Sequence, residues 1–201
     1  MFSVDRKRIN QKLWGCIAFI LFAIVVLSSC RVDKEPSSET AIEFKEIIES
    51  GDLKNLSLTI YYVDPHIWTN PIRSVDALIK FIDGYSDFED VVQKIIIEGV
   101  KLEEYDDFLN QINNSELVPV ESDSFLDARI YYVFETKKGR ALFDVVMWNS
   151  DESIVVNGAK VEYEDVFGEG IMQFLPEISA EQLGRYLDNK KQFKKENEDS
   201  S

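Results

Sequence analysis

Hydrophobic residues along this 201-residue chain fall into two patterns. Leu13 to Leu27 is an unbroken run of fifteen residues without a charge, while from Ile42 onward apolar positions recur at intervals that fit helices or strands. Ile42, Phe44, Ile47 and Ile48 are spaced for a helix that closes at Gly51, a residue suited to the left-handed conformation. Leu56 to Val63 (LSLTIYYV) is rich in β-branched and aromatic residues and predicts a strand, broken by Asp64-Pro65. Ser74 is an N-cap for a helix in which Val75, Leu78, Ile79 and Ile82 fall at i, i+3, i+4 and i+7, with Gly84 as its stop. Lys94 to Glu98 (KIIIE) predicts a buried strand, and Leu102, Tyr105, Phe108, Leu109 and Ile112 then make one helical face with acidic residues opposite.

Two hairpins follow. Ala128 to Glu135 and Arg140 to Trp148 flank the turn Thr136-Lys137-Lys138-Gly139, and Ile154 to Val156 and Ala159 to Glu162 flank Asn157-Gly158, a pair that tolerates positive φ. A helix near Tyr163 to Leu175 and an amphipathic one from about Ala180 close the pattern, with a charged, disordered tail expected over 190–201. The chain also echoes itself. Ile95 to Phe108 (IIIEGVKLEEYDDF) aligns without gaps on Ile154 to Phe167 (IVVNGAKVEYEDVF), with six of fourteen positions identical. Ile60-Tyr61-Tyr62-Val63 likewise matches Ile130-Tyr131-Tyr132-Val133. A duplication into two β-β-β-α halves would superpose 57–112 on 128–175, with Gly99 and Gly158 at equivalent tight turns. Turn chemistry alone also accounts for glycines and aliphatics at these places.

Taken together, these elements predict an α+β domain over 40–189 with packed helices and a mainly antiparallel sheet. Hydrophobic residues at 45% supply enough apolar surface for a core. The charge balance of 22 basic to 37 acidic side chains argues against nucleic acid as a partner, since phosphate binding needs clustered Lys and Arg.

Ahead of the apolar run stand Arg6, Lys7, Arg8 and Lys12 against Asp5, the form of an export signal. The run ends in Leu27-Ser28-Ser29-Cys30, an aliphatic residue and small residues just before a cysteine. This junction resembles the lipobox of bacterial lipoproteins, and the chain resembles small uncharacterised lipoproteins of Gram-positive bacteria; the likeness rests on the first thirty residues and supplies no catalytic residue. The resemblance implies a diacylglyceryl group on the Cys30 thiol, removal of residues 1–29 as a signal peptide, and anchoring on the extracytoplasmic face of the cell membrane, or in the outer membrane of a host that has one. Residues 30–39 then form a polar tether. Leu13 to Cys30 is also just long enough to span a bilayer uncleaved, but Cys30 lies at the junction of apolar run and tether, which favours the lipoprotein. Cleavage takes the net charge from −15 to −18.

Candidate chemistry is sparse. His66 is the single histidine, which excludes centres built on several, and neither G-x-S-x-G, H-E-x-x-H nor a phosphate-cradling glycine loop occurs. No cofactor or metal is expected. Asp83, Asp87, Glu89 and Asp90 offer oxygen ligands, but Tyr85, Phe88 and Lys94 occupy positions where an EF-hand needs a ligand, a glycine and a glutamate, so a solvated acidic face is the better account. In the loop 64–71, Trp68 with His66 beside it is the candidate ligand contact, the alternative being an ordinary connection with Trp68 tucked into the core. The expected activity is a non-catalytic binding or interaction module. Its expected partners are the membrane, through the lipid, and a cationic peptide, protein or envelope component. The alternative is a carboxylate-dependent hydrolase of envelope polymers. Each buried methylene of an acyl chain contributes about 0.8 kcal/mol to anchoring. Labelled fatty acid is therefore expected to enter the wild-type chain and to be absent from Cys30→Ala; equal labelling of both would remove the lipid from the account.

Overall fold

The stretch LSLTIYYV forms a strand whose alternate side chains enter two separate cores, as a two-residue period requires. The chain, as a computed structural model, is described over residues 38–67, 69–85, 87–88, 91–120, 127–148 and 153–198, all within the compact unit Glu35–Ser201. Cys30, the apolar run 13–27 and Trp68 lie outside these residues. Helix α1 (Ser38–Ser50) is closed by Gly51 at φ 69°, and a 3₁₀ turn (Leu53–Asn55) leads into β1 (Leu56–Val63). Helix α2 (Val75–Gly84) starts where Ser74 accepts from the Ala77 N–H at 3.1 Å. Strand β2 (Val92–Glu98) passes directly into α3 (Gly99–Leu102), a 3₁₀ turn (Glu103–Tyr105) and α4 (Asp106–Asn114).

The second half begins with the hairpin β3 (Ala128–Thr136) and β4 (Ala141–Trp148). Its turn is held by Gly139, at φ 74°, donating to the Thr136 carbonyl at 2.8 Å. Strands β5 (Ser153–Val156) and β6 (Ala159–Glu162) join through Asn157 (φ 50°) and Gly158 (φ 76°), the left-handed pair that a tight hairpin needs. Helices α5 (Asp165–Met172) and α6 (Glu177–Glu198) follow. All six strands form one antiparallel sheet in the order β2-β1-β3-β4-β5-β6, which makes the fold α+β.

One face of the sheet carries the larger core. Leu56, Leu58, Ile60 and Tyr62 of β1, with Ile130, Tyr132 and Phe134 of β3, meet Phe44 of α1, Phe108 and Leu109 of α4, Phe167 and Ile171 of α5, and Leu183 and Leu187 of α6. Phe44 packs 4.9 Å from both Phe134 and Phe143, measured between ring centroids. The other face is covered by α2, whose Leu78 and Ile82 pack on Val63, Val92 and Val133. An ion pair between Arg140 and Glu43 ties the β3–β4 turn to α1, and Lys191 of α6 bridges Asp165 (2.9 Å) and Glu169 (2.6 Å) of α5.

Four expectations need correction. Strand β2 is an edge strand, and its central Ile96 is 58% exposed instead of buried. Gly99 is not a turn glycine: it opens α3 without a positive φ, and glycine is needed there because a Cβ would stand 1.8 Å from the Leu53 carbonyl oxygen. The matched segments also hold different places, β2 at the sheet edge beside β1 and β5 between β4 and β6, so the sheet does not contain two superposable halves. Finally, α6 continues its helix to Glu198, well past Lys190 where the tail was expected to begin.

The two glycines therefore differ in what a methyl group would cost. Gly99→Ala forces backbone apart and is expected to destabilise by about 3 kcal/mol or more. Gly158→Ala meets left-handed strain of about 1–2 kcal/mol. Urea unfolding of both variants checks the order, and a milder loss at Gly99 would contradict the packing described.

Candidate functional site

The loop after β1 is a turn built by its own sequence. Asp64 accepts the His66 backbone N–H on its carboxylate (2.8 Å), and Ile67 donates to the Asp64 carbonyl (3.2 Å), with Pro65 at the second position where its fixed φ fits. The same carboxylate oxygen lies 3.1 Å from His66 Nδ1. The half-exposed His66 ring meets Tyr186 of α6 edge-on, with 6.2 Å between centroids. Trp68, the other expected contact, is outside the described residues.

Beside this turn lies a buried arginine. A bulge between Ala128 and Ile130 sets Arg129 out of the regular β3–β4 ladder, and its guanidinium grips one Asp127 oxygen through Nε (3.2 Å) and Nη2 (2.8 Å). The second Asp127 oxygen accepts from the Ile72 N–H at 3.0 Å. Arg129 Nη1 is buried and makes no hydrogen bond among the described residues. Burial raises the Tyr186 phenol to about 12, opposed by the Arg129 charge and aided by that of Asp127. Tyr62, raised by burial and then by the Asp64 charge, donates to the Ser179 carbonyl at 3.3 Å. Asp64 and Asp127 thus spend oxygens on backbone N–H groups, so these carboxylates fasten loops to the end of the sheet and place His66 in a structural cluster.

A groove of about 600 Å³ lies elsewhere, between α4 and the start of α5. Asp107, Asn110, Gln111 and Asn114 line it from one face of α4, opposite the buried Phe108, Leu109 and Ile112. Ser115, Glu116, Glu164 and Val166 complete the lining. The carboxylates of Asp107, Glu116 and Glu164 give the groove an excess of acceptors. Asn114 donates one Nδ2 hydrogen to the Asn110 carbonyl (2.8 Å) and Ser115 its hydroxyl to the Gln111 carbonyl (2.9 Å), so Asn114 Oδ1 and Ser115 Oγ can accept, beside the amide groups of Asn110 and Gln111, which can also donate. Glu164 precedes α5 without a capping bond from its carboxylate. The C-terminal end of α4, at Ser115, adds the partial negative charge of a helix dipole.

In the sequence, Asp106 and Asp107 belong to the acidic side of the helix that carries Phe108 and Ile112, and nothing marks out Glu116 or Glu164. The polar spacing i, i+3, i+4, i+7 on α4, with Glu116 just past its end, was the available signal; Glu164 arrives from a distant segment. Among the described residues, no group of three or more His, Cys, Asp or Glu side chains is arranged to hold a metal ion, and no helix is long and apolar enough to cross a membrane. No family model matches the chain, and neither the curated proteins nor the solved structures include a match.

Burial also raises the phenols of Tyr131, Tyr132 and Tyr163. The fold therefore favours neutral phenol over a free value of about 10, so this stability is complete below pH 10 and is lost as pH climbs through the folded-state values. Phenolate absorbance is expected to rise together with loss of circular dichroism in alkali. Ionisation of all tyrosines near pH 10 with the fold intact would contradict the burial.

Proposed function

We propose that the chain is a lipid-anchored extracytoplasmic binding module whose groove between α4 and α5 takes a cationic group of a peptide, protein or envelope component. The observation that carries this reading is the lining itself: Asp107, Glu116 and Glu164 face the same space as acceptor oxygens and a helix C-terminus. Such a site favours ammonium or guanidinium groups, which bring donors and positive charge together. The −18 charge of the processed chain would speed encounter with a basic partner and repel an acidic one. Anchoring rests on the Cys30 junction and the charged segment before the apolar run.

A second reading draws on the same groove, because its size and its carboxylates also suit hydrolysis of an envelope polymer by paired acids. Turnover of purified envelope polymer by the protein, abolished by Glu116→Gln or Glu164→Gln, would select that reading.

For the binding module, an oligolysine peptide serves as probe by calorimetry at low salt. Asp107→Asn, Glu116→Gln and Glu164→Gln combined are expected to weaken it about tenfold, since each exposed pair is worth a few tenths to one kcal/mol. The same number of neutralised exposed carboxylates away from the groove, at Glu46, Asp83 and Glu181, is the control. Equal losses in both variants would reduce the groove to a share of the general acidic field.

A further inference from the structure

The two edges of the sheet are finished differently. At β6, Val120 donates to the Lys160 carbonyl (3.1 Å) and Glu162 to the Val118 carbonyl (2.9 Å), so 118–120 covers that edge. At β2, pairing with β1 has no counterpart on the outer side among the described residues. The register shows which backbone groups point outward. Asp64 donates to the Val91 carbonyl at 2.8 Å, extending the β1–β2 ladder by one step. Successive residues alternate the side to which their N–H and C=O point, so Val92, Lys94, Ile96 and Glu98 turn theirs away from β1. Val92 donates to the Phe88 carbonyl at 2.9 Å. Among the described residues, Lys94 and Ile96 keep both donor and acceptor open along the edge and Glu98 its N–H, the Glu98 carbonyl standing at the N-cap of α3.

Their side chains share one face of the sheet. Lys94 and Ile96 stand opposite Tyr61 and Thr59 of β1, and the Lys94 ammonium lies 5.2 Å from the Tyr61 ring centroid. Ile96 is mostly exposed, and so are Phe88 just before the strand and Val100 just after it, at 59% and 64%. An open edge with an apolar centre is a template for another strand, and natural sheets usually guard such edges with charge. Here the guarding charges have opposite signs and sit symmetrically about Ile96.

We propose that this edge joins two copies of the chain, β2 pairing antiparallel with β2 about a two-fold axis at Ile96, so that the two sheets become continuous. In this register Ile96 faces Ile96, and Lys94 of each copy faces Glu98 of the other. On the opposite face Ile95 meets Ile97. Moving the axis to Ile95 would set Lys94 against Ile96 and Glu98 against Val92, placing both charges opposite apolar side chains. A second copy is the occupant that matches, because a two-fold interface must be self-complementary and the order Lys-x-Ile-x-Glu is so when reversed. The residues involved are distinct from those of the groove, so either proposal can fail alone.

Sedimentation of the full-length chain in a density-matched mild detergent reads the association. A monomer–dimer equilibrium is expected, weakened about tenfold by Lys94→Glu and by Glu98→Lys, each of which sets like charges opposite one another twice. The double variant Lys94→Glu/Glu98→Lys restores the pairs in reverse and is expected to return to within about threefold of the wild type. Cooperative unfolding transitions and wild-type circular dichroism establish that the variants are folded. A chain monomeric at every concentration overturns the proposal, as does a dimer indifferent to the single variants or a double variant no better than either. Dimers with a foreign extended peptide at β2, in place of a second copy, would overturn it too.

Discussion

The register between β1 and β3 is the constraint on which the rest of the molecule depends. It sets the two IYY segments antiparallel and centred on each other, with Ile60 opposite Tyr132, Tyr61 opposite Tyr131 and Tyr62 opposite Ile130. The inner tyrosines each reach a helix: Tyr62 donates to the Ser179 carbonyl of α6, and Tyr132 to the Phe167 carbonyl of α5 at 3.2 Å. A buried phenol needs such an acceptor, so the pair locates two helices on one face while Tyr61 and Tyr131 stack at 5.8 Å on the other. A slip of one residue would exchange the faces and bring polar edge positions into the larger core.

Local features of this fold were legible wherever one short segment determines its own conformation. Ser74 as a cap, Gly51 and Gly139 in left-handed closures and Asn157-Gly158 in a hairpin are all of this kind. What escaped was relative position. Three consecutive isoleucines report β propensity, and the chain pattern around them is the same at a sheet edge as at its centre, so Ile95–Ile97 read as buried although Ile96 is not. The repeat misled for a related reason. Gly99 and Gly158 are the same residue for different causes, one to let the Leu53 and Leu56 carbonyls approach and the other to permit a turn. An IYYV motif occurring twice announced similar strands without saying that they are each other's neighbours.

The candidate groove was less legible than the fold. Its α4 face shows the helical period in polar residues, but an exposed helix face has that period whether or not anything binds there. Glu116 follows the end of that helix, whereas Glu164 joins only through tertiary packing. His66 stood out because it is the single histidine, and its partners Asp64 and Tyr186 give it a structural employment at the end of the sheet. Rarity of a residue type marked a well-fastened turn, whereas the abundant carboxylates supplied the concave surface.

The central ladder also bears on the time course of folding. Leu56 pairs with Thr136, and Tyr62 with Ile130, so the sheet's middle seam joins strands that are far apart in the chain. Such pairings close large loops before any contact repays the lost entropy, which slows the search for the native state. During synthesis, β1 can find β2 and α2 but has no central partner until β3 has emerged. The larger core therefore forms late, and the leading segment stays without its main tertiary anchor through much of elongation.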